Sequence, residues 1–312
     1  MADSVGAPGD GAVDGATGVH FVVPYYVEPR YLFELVASVL AQTDGRWRLT
    51  IVDDQYPGTA ALDHVRDVGD PRIRYRRNER NLGATGNVCH CMTLGELEYI
   101  TVLGADDALE PNYVQVVLDA FARHPEAIMV HPGVIVVDEH GRPTDSLADR
   151  VKRLVSWSAW RHPELDGPTA ARSLMSGNWL YVPAMCFRTD VVPRARRLGE
   201  FGSIADLGWV IDMLLGGGTL AMDRTPAFRY RRHSASHSSA GARNVIRFDE
   251  EQRYYAAAAA QLRDHGWHRA ARAARWHLLT RLHATRSALG ALAARDVRLA
   301  RSLTTRALRR IA

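Results

Sequence analysis

The sequence predicts an α/β chain, with a mainly parallel sheet flanked by helices and a helical C-terminal extension. Three observations carry that prediction. Short apolar runs of strand length alternate with amphipathic runs of helical period over roughly the first 120 residues. Proline, glycine or paired polar residues stop each apolar run. From about Arg247 onward the pattern is helical throughout. Strands alternating with helices call for crossover connections, and these make the strands parallel.

Taken in order, "GVHFVVPYY" (18–26) is an apolar run that suits a strand terminating at Pro24. "YLFELVASVLAQT" (31–43) puts Leu32, Leu35, Val36 and Leu40 on one helical face. "WRLTIVDD" (47–54) is a second strand, and "PGTAALDHVRDVG" a turn and helix. "RIRYRRNERNLGATGN" (72–87) holds a short strand and then a Gly/Asn loop, with a helix resuming at "VCHCMTLG". "YITVLGADDALEPNY" (99–113) supplies the fourth strand. Beyond it come an amphipathic helix, "VQVVLDAFARHP", and strand material, "AIMVHPGVIVVDEHGRP", with a turn at Glu139–Gly141. Residues 145–175 read as less regular. "GWVIDMLLGGG" (208–218) is a helix stopped by glycines, and "TLAMDRTPAFRYRRHSASHSS" a strand followed by a Ser/His-rich loop.

At 312 residues, 46% hydrophobic and 24% charged, the chain is of ordinary globular composition and can bury a sizeable core. No run of about 18 apolar residues is available to span a bilayer. "MADSVGAPGDGAVDGATG" carries no Lys or Arg and no apolar core, so it reads as a disordered leader over 1–18 rather than a secretory signal. Three cysteines (Cys89, Cys91, Cys186) make no disulfide framework, which points to a reducing cytoplasm. Cys89-His90-Cys91 lacks the spacing of a closed zinc site.

The net charge of +4 is unevenly spread. Residues 265–312 hold eleven arginines and one aspartate, so the tail is strongly basic and the rest acidic. On a helical wheel Val297, Leu299, Leu303, Leu308 and Ile311 fall within roughly 100° of Leu289, with arginines opposite. Such a helix either packs its apolar stripe on the body or lies on an anionic membrane at the inner face. A nucleic-acid partner is not expected, because the tail lacks interleaved aromatics.

In a parallel sheet, ligands bind beyond the carboxyl ends of the strands. Here those ends carry Pro24-Tyr25-Tyr26, Asp53-Asp54 and Gly104-Ala105-Asp106-Asp107. One Asp pair could cap a helix; two pairs at one sheet edge ask for more. Adjacent carboxylates raise each other's pKa unless a cation offsets them. A hard divalent cation shared with substrate phosphates is a common solution. The basic runs "RYRRNER" and "RYRRH" could compensate phosphate, although Arg231 and Arg232 could equally be surface charges. These residues suggest metal-dependent handling of a nucleoside diphosphate.

"FVVPYYVEPRYLFELVASVLAQTDGRWRLTIVDD", "NERNLGATGN", "YITVLGADDALEP" and "VVDEHGRP" together resemble the family-2 glycosyltransferases of the GT-A fold over about residues 19–141. A weaker resemblance runs through "LYVPAMCFRTD", "IADLGWVIDMLLGGG" and "FRYRRHSASHS" to about residue 240. The resemblance implies a GT-A domain over 19–245, with a nucleotide-sugar half (19–141) and an acceptor half (142–245). The basic helical extension is then 246–312. It also implies an inverting transferase with Mg²⁺ or Mn²⁺ on the diphosphate of an NDP-sugar, UDP- or dTDP-linked. Tyr26 would stack on the base and Asp54 would accept its N3–H. Pro24, Glu28, Asn81 and Gly83 would complete the nucleotide-sugar site. Asp106 would sit near the ribose and Asp107 would ligate the metal, joined by His233. Many relatives carry another Asp where Gly104 stands, which leaves the division between Asp106 and Asp107 open. Asp206 of "IADLGW" would be the general base, with Asp212 its competitor. Trp157, Trp160 and Trp179 are either sugar platforms or core.

The sequence does not identify the acceptor, which could be lipid-linked, a polysaccharide or a small molecule. A metal-dependent nucleotidyltransferase would want a Gly/Arg/Lys-rich loop after the first strand, where "PYYVEPRYL" stands. A non-catalytic protein binding through its basic tail is the remaining alternative.

Overall fold

The computed structural model describes residues 17–194, 204–232 and 245–308. They form two compact units interleaved along the chain. The first comprises 17–145, 181–194 and 219–232, and the second 146–180, 204–218 and 245–308.

The first unit contains strands β1 (Val19–Tyr25), β2 (Trp47–Asp53), β3 (Ile73–Arg77), β4 (Tyr99–Val102), β5 (Ala108–Leu109), β6 (Ala127–Val137), β7 (Cys186–Arg188) and β8 (Thr219–Arg231). Its helices are α1 (Pro29–Leu40), α2 (Ala60–Val68), α3 (Gly83–Met92) and α4 (Tyr113–Arg123). The strands are ordered β3-β2-β1-β4-β7-β6-β8-β5. The four strands joined by crossover helices, β1 to β4, are parallel, as is the pair β6 and β8. β7 runs antiparallel to β4 and β6, and β5 antiparallel to β8. The sheet is therefore mixed but mostly parallel. Its antiparallel members have three and two residues, too few to show a hydrophobic period.

Phe21, Val23, Leu49 and Ile51 are buried together with Leu32, Leu35, Val36 and Val39 of α1 in one apolar cluster. Each such side chain contributes about 1.5–3 kcal/mol by leaving water. This packing holds the strand ends in register, with Tyr25 beside Asp53 and the Leu103 N–H bonded to the Val22 carbonyl. Two helix starts differ from the sequence expectation. α1 opens at Pro29, whose ring suits a first helical turn. α3 opens at Gly83, inside the stretch that composition marked as loop, because the Asn81 side chain accepts the Gly83 N–H.

The second unit is mainly helical: α5 (Leu147–Ser156), α6 (Gly167–Ser176), α7 (Ala205–Leu215), α8 (Val245–Asp264), α9 (His268–Trp276), α10 (Leu278–Ala293) and α11 (Val297–Leu308), with one short strand at Glu164–Asp166. Residues 145–175, expected to be irregular, contain α5 and α6. Ser146 and Asp149 cap α5 reciprocally, and Asp166 caps α6 through the Thr169 N–H. Trp179 is buried, with its indole N–H on Ser173 Oγ at 3.0 Å, and belongs to the core. Trp157 is exposed with the Arg161 guanidinium over its ring.

The C-terminal wheel also changes. The helix breaks between α10 and α11 at Arg295, which has φ 60°, so one stripe cannot run through both. Leu303 is buried with Phe248, Ala284, Ala288 and Ala307, while Leu289, Val297 and Leu308 are exposed. Among the described residues no helix is long and apolar enough to cross a membrane. The three cysteines are free thiols, and burial pushes the Cys186 thiol up to about 12.

Candidate active site

Three strand ends of the first unit build one edge. At the end of β1, Pro24 is half-buried, Tyr25 is buried and Tyr26 is 52% exposed. Tyr26 meets the edge of Tyr56 at 5.6 Å between ring centroids, and much of its ring stays open to solvent. Glu28 precedes α1, is exposed, and pairs with Arg30 at 3.2 Å.

The two aspartates closing β2 are both buried, and neither caps a helix through its side chain. Asp53 Oδ1 accepts the Tyr56 N–H at 2.7 Å, and Oδ2 accepts the Tyr75 hydroxyl at 2.5 Å and Arg77 Nη1 at 3.3 Å. It ties the turn under Tyr26 to β3. Burial, followed by the bond to Asp53, pushes the Tyr75 phenol up to about 12, so it stays a donor. Asp54 Oδ1 accepts from Asn78 Nδ2 and from the Leu82 N–H, each at 2.8 Å. Asn81 Nδ2 donates to the Asp54 carbonyl at 2.9 Å, and Asn78 Nδ2 also reaches Asn87 Oδ1 at 3.0 Å. Asp54, Asn81 and Gly83 are thus brought together as one clasp on the 78–83 turn. Gly83 has φ +74°, and nothing lies within 4 Å of where a Cβ would stand, so the turn presents bare backbone. Asn78 and Asn87 join this clasp without having been singled out in the sequence, since an Asn near a glycine loop carries no signal beyond turn preference.

The acidic corner follows β4. Asp107 is buried and its Oδ1 accepts the Arg231 N–H at 2.8 Å, while Asp106 is half-buried. A Cβ on Gly104 would collide with Asp107 Oδ2 and stand 3.1 Å from Asp106 Oδ1. The lack of a side chain at Gly104 is what lets the Asp107 carboxylate fold back there. Burial raises the Asp107 pKa well above the carboxylate range, and Asp106 adds to it; the N–H and charge of Arg231 oppose the rise. Arg231, at the end of β8, is itself buried. Its Nε donates to the Asp106 carbonyl at 2.7 Å, Nη1 to the Glu139 carbonyl at 3.1 Å, and Nη2 pairs with Glu34 at 2.5 Å. It is a core anchor of the corner rather than a surface charge, which the run "RYRRH" could not reveal at a separation of 124 residues from Asp107.

Does this corner suit a divalent cation? A buried carboxylate raised by its neighbour is relieved by added positive charge, and two hard oxygen donors suit Mg²⁺ or Mn²⁺. No cluster of three or more His, Cys, Asp or Glu fit to hold a metal occurs among the described residues. A cation at this corner would also call on oxygens of the substrate. His233 lies outside the described residues. In the second unit, Asp206 stands in the first turn of α7, half-buried, and its Oδ1 accepts the Leu207 N–H at 2.7 Å. Asp212 is buried in the same helix and accepts Gln261 Nε2 at 3.0 Å, which ties it to α8.

Comparison with known proteins gives a consistent picture. Residues 20–185 match the model of the family described as "Glycosyl transferase family 2". The chain is 30% identical over 114 residues to WcaA of Escherichia coli (strain K12), named as a colanic acid biosynthesis glycosyl transferase; this covers 36% of the chain and 39% of WcaA. It is 27% identical over 126 residues to EpsE of Bacillus subtilis (strain 168), named as a glycosyltransferase, covering 39% and 45%. The matches span less than half of each relative. Among solved structures, S. aureus TarS residues 1–349 with UDP-GlcNAc is similar at a TM-score of 0.57 and 12% identity, over 92% of this chain and 90% of that one. The same segment with UDP has a TM-score of 0.56. At that identity the likeness shows the fold, GT-A with C-terminal helices.

Proposed function

The chain belongs to glycosyl transferase family 2, and on that premise we propose that it moves a sugar from an NDP-sugar, UDP- or dTDP-linked, to an acceptor hydroxyl with inversion. The observation that carries this reading is the acidic corner. Buried Asp107 and half-buried Asp106 follow β4, which lies beside the strand leading to Tyr26. The UDP and UDP-GlcNAc named for the TarS structures support a nucleotide-sugar donor.

Tyr26 offers an exposed ring for stacking on the base. Asp54 spends Oδ1 on the 78–82 turn, which leaves Oδ2 to accept a pyrimidine N3–H. Pro24 and Glu28 border the base, and Asn81 holds the turn whose bare backbone at Gly83 faces the nucleotide. Asp106 is the more open of the paired carboxylates and serves the ribose side, with Asp107 behind it on the metal. A Mg²⁺ or Mn²⁺ ion held by Asp107, with His233 as a further ligand, would neutralise charge on the departing diphosphate.

In the transfer itself, the acceptor oxygen bonds to the anomeric carbon as the anomeric bond to the diphosphate breaks. The bonding pair leaves with the diphosphate, and the hydroxyl proton passes to a carboxylate base. We assign that base to Asp206, on the strength of the "IADLGW" block. The buried alternative, Asp212, is engaged by Gln261 within its own unit. The test is a nucleotide-release screen across UDP- and dTDP-sugars with Mn²⁺, repeated on Asp107→Ala and Asp206→Asn. Turnover that needs no divalent metal and survives Asp107→Ala would sink this mechanism.

A further inference from the structure

We propose that the exposed leucine stripe of α10, bordered by Arg281 and Arg286, docks on the surface of an anionic lipid bilayer. Of the twelve large hydrophobic residues exposed among those described, seven lie between Trp276 and Leu308. Leu278, Leu282, Leu289 and Leu292 of α10 are each more than half exposed. At 100° per residue all four fall within about 40° of Leu278, so they form one narrow face. Ala284, Ala288 and Ala291 turn to the other side and are buried, which fixes α10 with its leucines outward.

Charge selects the occupant. Arg269, Arg272, Arg275, Arg286, Arg295, Arg298 and Arg301 are exposed, and among the described residues none is in an ion pair. Arg281 and Arg286 border the leucine stripe on its two sides. Laying two copies of the stripe together would set arginines against arginines in either orientation, the arrangement that flanking positions of paired helices avoid. An anionic bilayer satisfies both features, taking the leucines at the acyl boundary and the guanidinium groups at its phosphates. Trp276, 55% exposed with the Arg281 guanidinium 5.9 Å from its ring centroid, has the amphipathic character of an interfacial anchor. Each arginine near such a surface strengthens partition about fivefold, so several suffice without a membrane-spanning helix. The docking is independent of the donor chemistry.

The full chain is to be pelleted with phosphatidylcholine vesicles, with and without phosphatidylglycerol, in rising NaCl. Binding should require phosphatidylglycerol, weaken with salt, and fall about tenfold or more in Leu282→Ser/Leu289→Ser. Both leucines are exposed, so nucleotide release in solution should stay at the wild-type rate and report intact folding. Arg272→Glu/Arg275→Glu/Arg286→Glu should abolish the preference for phosphatidylglycerol. Failure to pellet with anionic vesicles overturns the proposal. So does pelleting that both variants share with the wild type. A dimer by sedimentation equilibrium that the serine variant dissolves, without vesicle binding, would assign the stripe to a second copy and overturn it too.

Discussion

Replacing Arg231 by methionine tests whether the acidic corner is anchored as described. The guanidinium makes three polar contacts: the Asp106 and Glu139 carbonyls and the Glu34 carboxylate. The Glu34 side chain is 52% exposed, so that pair contributes at most about 1 kcal/mol. Each carbonyl left without its charged donor costs about 1–2 kcal/mol. Methionine keeps the aliphatic stem near Tyr31, whose ring lies 5.2 Å from the guanidinium, so little packing is lost. The backbone N–H that holds Asp107 is untouched. The expected destabilisation is about 2–5 kcal/mol. Urea unfolding followed by circular dichroism measures it. Arg229→Met is the control: that guanidinium also has a close carboxylate, Glu110 at 2.6 Å, but is 46% exposed. It should cost about 1 kcal/mol or less. If the two variants differ by less than about 1 kcal/mol, Arg231 is not the anchor.

Three further outcomes follow from the same geometry. Burial and Asp106 hold the Asp107 pKa above its ordinary 3.8. Its ionised form therefore subtracts stability, in full above the folded-state pKa, and the penalty disappears as pH falls to the ordinary value. Asp107→Asn should accordingly be at least as stable as wild type to urea at neutral pH, while donor turnover falls about 100-fold or more. Tyr26→Ala should raise KM for the nucleotide-sugar about 5-fold to 100-fold, with kcat little changed in steady-state assays. His20 is buried against Thr50, and burial lowers its pKa from 6.5 to about 4. The folded state thus loses stability as pH falls from 6.5 through about 4, by up to about 3 kcal/mol. His20→Gln should remove most of that slope between neutral pH and pH 5 in urea titrations.

The parallel half of the sheet was legible because β1, β2 and β4 are largely apolar and α1, between the first two, has a clear helical period. The edge was legible as well, since Asp53-Asp54 and Asp106-Asp107 close their strands as the sequence orders them. What each carboxylate does there was not legible. Asp53 spends both oxygens on Tyr56, Tyr75 and Arg77, and Asp54 clasps Asn78 and Leu82, all partners that lie up to 28 residues away. The irregular reading of residues 145–175 failed because α5 and α6 are only ten residues each and their starts are set by side-chain caps, at Ser146 and Asp166.

The sequence by itself determined the chemistry available at the sheet edge: which strand ends carry acids, where the glycines relax the backbone, and that the positive charge gathers in the tail. Local pattern suffices for this, because strand ends and turns are set by residues near in the chain. Only tertiary structure decided which charges are compensated and which faces stay open. Arg231 becomes the partner of Asp106 and Asp107 because β8 brings it to the corner. The α10 leucines are left outward because Ala284, Ala288 and Ala291 make the closer seam. Burial and charge compensation are sums over neighbours distant in sequence, and no local period encodes them.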